Sequence, residues 1–225
     1  GGTGPTGAPG PTGPAGASGG TTRTIIRAFG SNDTYTPTSG TKFIQVYCVA
    51  GGGGSGRAEG DTSGDENDFA ATSGAGGGGA CIGYYNITGT FTADIQVGAA
   101  GQGGTSGSGT DGGESKFTPS GSYTGDGTLD ANGGEASQGA STFQTGAVGG
   151  GGGAAGGFPL TGDSGALRGK SESGGQFYQT PGRGGLAAYN FGIFGKGGNG
   201  VGPTGDDVNG QAGQSGVIVV YEYLT

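Results

Sequence analysis

Three times this chain runs into an unbroken block of glycines, at 51–54, 76–79 and 149–153, and glycine fills 65 of its 225 positions. Glycine has no side chain to bury and loses more conformational freedom on ordering than any other residue. Segments this rich in it cannot supply a conventional hydrophobic core. With only 29% hydrophobic residues in the chain, any core must be small, shared between chains, or built largely from backbone. Low-complexity composition of this kind ordinarily signals disorder. Ten Phe, nine Tyr and several β-branched runs argue for order instead, since disordered linkers lack both.

The strand-like segments lie between the glycine blocks. TRTIIRAF (22–29), KFIQVYCVA (42–50), TFTADIQVG (90–98) and SGVIVVYEYLT (215–225) are β-branched and aromatic. The second alternates Ile44, Val46, Cys48 and Ala50 with Phe43, Gln45, Tyr47 and Val49, and its first set is expected to face the core. The third alternates Phe91, Ala93, Ile95 and Val97 with polar residues. No apolar stripe of helical period persists, so the fold class is all-β. Strand 42–50 delivers the chain straight into Gly51–Gly54. Extended segments without side chains can pack backbone to backbone and hydrogen-bond sideways in several directions, a polyglycine II type of array. Whether such an array forms within one chain or is shared across a trimer, the sequence leaves open.

Residues 1–18 read GGT GPT GAP GPT GPA GAS, six triplets that each begin with glycine. This is the rule of the collagen triple helix, whose crowded axis admits only glycine at every third place. Eighteen residues at about 3.1 Å each make a rod of only about 55 Å, so its trimerisation is expected to depend on the neighbouring domain. The chain therefore divides into a collagen-like shaft segment, 1–20, and a glycine-rich β domain, 21–225, expected to be trimeric.

A net charge of −8 with nine Lys and Arg argues against a nucleic-acid binder. No 18-residue apolar run exists, so no membrane insertion is expected. No charged-then-apolar leader opens the chain, which begins at Gly1 and is read as a fragment or processed product. Cys48 and Cys81 sit among apolar neighbours, where free buried thiols are the expected state and a single disulfide is the alternative. With no His and no CxxC, the commonest zinc and nucleophile designs are absent.

GALRGKS (165–171) misses the phosphate-binding P-loop by one residue, with Ser164 where the first glycine is required. SGSGTDGG (106–113) approaches a calcium-binding repeat but occurs once. The acidic group Asp61, Asp65, Glu66 and Asp68 reads as a solvated loop rather than a cation site. The expectation is no enzyme, no cofactor and no metal, with a depolymerase acting through paired carboxylates as the competing reading.

One constellation stands apart. Between Leu167 and Lys196 the cations Arg168, Lys170, Arg183 and Lys196 are interleaved with Phe177, Tyr178, Tyr189, Phe191 and Phe194. Aromatic rings stack on sugars and cations hold phosphate or carboxylate groups. Arg168, Lys170, Phe177, Tyr178, Arg183, Tyr189 and Phe191 are the candidate receptor contacts; the competing reading makes these aromatics the core of a glycine-rich lobe.

In its order of motifs the chain resembles a known family. YTPTSGTKFIQVYCVAGGGGSG, then TFTADIQVGAAGQGG, a GGESKF segment, further glycine blocks and a terminal SGVIVVYEYL look like the glycine-rich domain of bacteriophage tail-fibre and fibre-tip proteins. The similarity covers about residues 30–225. It implies a homotrimeric virion attachment protein, exposed outside the host cell, joined to other fibre proteins and binding a bacterial surface glycan or outer-membrane receptor. It carries no fixed catalytic or contact residues. A structural fibre or spore-type surface protein without specific ligand is the alternative.

Overall fold

The computed structural model describes residues 23–58, 72–139, 152–154, 158–165, 169–173, 176–180, 185, 187, 192, 194–202 and 207–224. The collagen-like triplets lie outside the described residues. Within them the fold is all-β, without helix. Strands β1 (Arg23–Phe29), β2 (Asp33–Tyr35), β3 (Thr41–Val49), β4 (Ala80–Gln96), β5 (Ser115–Gly125) and β6 (Leu129–Ala131) come first. They are followed by β7 (Gly152–Ala154), β8 (Phe158–Leu160), β9 (Gly169–Ser173), β10 (Gln176–Thr180) and β11 (Val217–Leu224). Nine form one antiparallel sheet, in which β1, β11, β3, β4, β5, β6 and β7 are successive neighbours and β2 and β8 also pair with β4. β9 and β10 form a separate hairpin.

The expected alternation sets the core. Ile44, Val46, Cys48 and Ala50 of the β3 segment are buried with Phe91, Ala93 and Ile95 of β4, Phe117 of β5, Leu129 of β6 and Ile218 and Val220 of β11. Tyr35 and Tyr85 each meet both Phe91 and Phe117, edge to face or tilted, at 5.5–6.3 Å, geometries that suit the ring quadrupoles. Glycine serves this core too: a Cβ at Gly83 would stand 2.7 Å from a methyl of Leu129.

One buried carboxylate ties β1 to β11. Glu222 of β11 is wholly buried and lies 3.0 Å from Arg27 Nε on β1. Tyr35 O–H donates to it at 3.0 Å, Thr38 N–H at 3.2 Å and Thr41 O–H at 3.4 Å. A buried charge is tolerated only with such a full set of partners.

From the end of β3 the glycine segment 50–58 runs through the middle of a backbone array. The amides of Ala50 and Gly53 donate to Gly79 and Gly76. Those of Gly51, Gly54 and Arg57 donate to Gly113, Thr110 and Gly107, and those of Gly52, Ser55 and Ala58 donate to Gln214, Gln211 and Val208. Every third residue addresses the same neighbour, and each neighbour is read backwards in steps of three. The carbonyls point to further segments: Gly51 and Gly54 accept from Gly134 and Ser137, Gly52 and Ser55 from Gly101 and Gly104, and Gly53 from Gly198. One segment thus has six neighbours, three antiparallel donor targets and three approaching its carbonyls, all from the same chain. Three residues per turn is the period of the extended left-handed helix, and this is the sideways pairing that a polyglycine II array requires.

Sterics explain why the residues are glycine. A Cβ at Gly51, Gly52, Gly53 or Gly54 would stand 2.0–2.2 Å from a backbone carbonyl oxygen of a neighbouring segment. Neither side can yield without breaking hydrogen bonds. Two serines substitute for missing backbone contacts: Gly56 N–H donates to Ser137 Oγ, which donates on to Ser73 O, and Gly98 N–H donates to Ser115 Oγ, which donates to Val49 O.

Candidate functional site

The array has a near end at the sheet and a far end. Segment 50–58 leaves β3 at the near end, so Ala58 and its partners mark the far end. Strong cross-links hold it. Ala58 and Val208 exchange both backbone bonds, and Thr72 N–H donates to Val201 O while Val201 N–H donates to Thr72 Oγ1. Arg57 pairs with Asp207 and donates to Thr105 O at 3.0 Å.

Several connections between array segments leave and return at this end. They are 59–71, between Ala58 and Thr72; 105–107; and 203–206, while 166–184 leaves from Gly165 in the far half and returns at Gly185, which donates to Ala75 O and lies against Asp163 O and Gly77 N. Gly165 belongs to the far half because its Cβ position lies against Gly74 O, whereas Gly162 lies against Gly77 and Gly78. A fixed scaffold with loops at one end is the usual arrangement of a binding surface.

The proposed contact residues are divided by this layout. Lys170, Phe177 and Tyr178 belong to the β9–β10 hairpin, where Lys170 is paired with Gln179, Phe177 with Glu172 and Tyr178 with Ser171. Arg168, Arg183, Tyr189 and Phe191 lie outside the described residues, as does the acidic group Asp61, Asp65, Glu66 and Asp68. Phe194 and Lys196 are placed elsewhere: Phe194 packs with Leu160 and Ala187 over Val49, Val217 and Val219 on the outer face of the sheet. Lys196 contributes backbone to the array, its carbonyl accepting from Gln214 N–H. Phe194 thus serves packing on the sheet, where it is half-buried. Gly195, at φ +69°, makes the turn between these two roles.

Chemistry-bearing groups that sequence reasoning left unpaired do meet. Cys48 and Cys81 face each other across β3 and β4 as free, buried thiols. The Cys48 thiol is pushed up because it donates to Cys81 and is buried; that same bond holds Cys81 down. Glu114 and Asp130 converge on Lys116, at 2.8 and 3.3 Å. Glu114 is held below the usual carboxylate range by hydrogen bonding to Asp130 and Lys116, and Asp130 is raised by desolvation. No spacing rule in the sequence marks this pair, because register between β5 and β6 creates it. Among the described residues no cluster of His, Cys, Asp and Glu is arranged to hold a metal ion. Compared with known protein families and characterised proteins, the chain matches no family model and no characterised sequence.

Proposed function

We propose that this chain is the distal part of a bacteriophage tail fibre, a homotrimer on a collagen-like stem at residues 1–20. It binds a bacterial surface glycan or outer-membrane receptor through the loops at the far end of its glycine array. The observation that carries the reading is the division of labour between array and loops. The array is held by backbone hydrogen bonds, so it places few demands on side chains, and its connecting loops are free to differ in sequence without disturbing it. The connection 166–184, which leaves the far half of the array at Gly165, holds Arg168, Lys170, Phe177, Tyr178 and Arg183, a mixture of rings and cations suited to anionic sugars. Glycine triplets and motif order support the same assignment.

The test is adsorption competition. Purified protein is expected to bind host cells and to slow phage adsorption, and replacing residues 167–183 with a glycine–serine linker is expected to abolish both. A wild-type protein that binds no cells and blocks no adsorption would leave a structural fibre role and refute receptor binding. Release of reducing sugar from host polysaccharide would favour the depolymerase instead.

A further inference from the structure

The outer face of the sheet is covered only in part. Near the array, Val49, Val217 and Val219 lie beneath Leu160, Ala187 and Phe194. Beyond them, across β1, β11, β3 and β4, Ile26 and Tyr84 are exposed and Tyr221, Gln45, Tyr223 and Phe43 half-buried. The register aligns Ile26, Tyr221, Gln45 and Tyr84 in one row. The next row holds Thr24, Tyr223, Phe43 and Asn86. No charged residue stands in either row, whereas a solvated sheet face ordinarily alternates to polar and charged side chains. Aromatic enrichment with depletion of charge is the mark of an interface centre.

At the centre of the face the polar groups of Gln45, Tyr84 and Tyr223 are engaged with one another. Gln45 Nε2 donates to Tyr47 OH at 2.9 Å and Tyr84 OH at 3.3 Å, and Tyr223 O–H donates to Gln45 Oε1 at 3.4 Å. Phe43 packs against Tyr84 and Tyr223 at 6.1 and 5.4 Å. What the face offers outward is ring surface, which suits a flat protein partner better than a sugar seeking free hydrogen-bonding groups.

We propose that the occupant is a second copy of this chain, and that three such faces close around the fibre axis. This rests on the collagen-like reading of residues 1–20. The triplets end at Ser18, which leaves residues 19–22 to reach β1 at Arg23, at most about 18 Å of chain between Cα positions, so all three β1 strands start close to one axis. The uncovered face begins at that strand. Between Cα positions its two rows span about 14 Å by 7 Å, smaller than the roughly 800 Å² per partner of a stable interface. Association therefore depends on the tether, which raises the effective concentration to about millimolar.

Threefold contact is heterologous, so one margin of the face meets the opposite margin of the next copy. Ile26 and Tyr84 are the large hydrophobic residues most exposed among those described, at 60% and 44%, and they lie at opposite ends of one row. Ile26 of one copy meets Tyr84 of the next.

The test uses the full chain. Wild type is expected to show the mass of three chains of 21.1 kDa, and the Ile26→Lys/Tyr84→Lys variant to fall to one, with the circular dichroism of its sheet unchanged. A variant that stays trimeric would overturn the proposed face and leave the trimeric fibre intact. A monomeric wild type would overturn the trimer reading together with the face. If the lysine variant fails to fold, Ile26→Cys/Tyr84→Cys with a short bis-maleimide decides the matter. Covalent trimer from the double variant alone supports the proposal, and its absence in a protein that is trimeric by mass overturns it.

Discussion

Replacing Gly53 with alanine probes the array at its centre. The new Cβ would stand 2.2 Å from Glu135 O and 2.5 Å from Glu135 C, where unstrained carbon contacts lie at about 3.5–4.0 Å. A segment must shift by about 1 Å or more to relieve this. Moving 134–135 breaks the bonds from Gly134 N–H to Gly51 O and from Gly76 N–H to Glu135 O, both 2.9 Å. Each buried bond broken without a replacement costs about 1–3 kcal/mol, or about 2–6 kcal/mol for the two. Restricting the unfolded chain returns about 0.4–1 kcal/mol. The expected net loss is about 1–6 kcal/mol, a large share of the stability of an ordinary domain. Gly30→Ala is the control, since a Cβ there meets nothing within 4 Å. It is expected to be neutral or stabilising by up to about 1 kcal/mol. Urea unfolding of both variants measures the difference. Equal midpoints would refute the steric argument, whatever the absolute stability.

Three other outcomes follow from the same structure. Ser137→Ala leaves Gly56 N–H and Ser73 O without their shared hydroxyl and is expected to lower urea stability by about 1–3 kcal/mol, with Ser122→Ala, at an exposed position, near zero. Burial raises the tyrosine hydroxyls of Tyr35 and Tyr85. In the unfolded chain they ionise near pH 10, so their contribution is complete below that pH and is lost as pH rises through their folded values. Unfolding free energy should decline above about pH 10 and decline less steeply in Tyr85→Phe. Thiol titration should find no reactive cysteine in the native protein and two in denaturant, since Cys48 and Cys81 are buried and free; rapid native labelling would contradict their placement.

Much of the sheet was legible because period-two alternation depends on local chemistry alone. The segments expected at 22–29, 42–50 and 215–225 lie within a residue or two of β1, β3 and β11. The start of β4 was hidden: Gly83 and Gly89 interrupt the pattern there, and Gly83 is present to admit Leu129 from a strand distant in sequence. The array's period was invisible for a different reason. Its three-residue repeat resides in hydrogen bonds between segments, and glycine shows no sidedness along the chain. Lys196 and Phe194 illustrate the limit for the site, since residues two apart serve array backbone and sheet packing. Composition alone could not divide the 167–196 cluster between them.

Amide hydrogen exchange at Gly52, Gly53 and Gly54, followed by nuclear magnetic resonance, tests the central claim most directly. Their amides donate to Gln214, Gly76 and Thr110, three separate segments, within a wholly buried stretch. The account predicts that all three exchange as slowly as the amides of β3 and β11, because they open only when the fold opens. Exchange at the rate of an unstructured peptide at these glycines, with β3 and β11 protected, would contradict it.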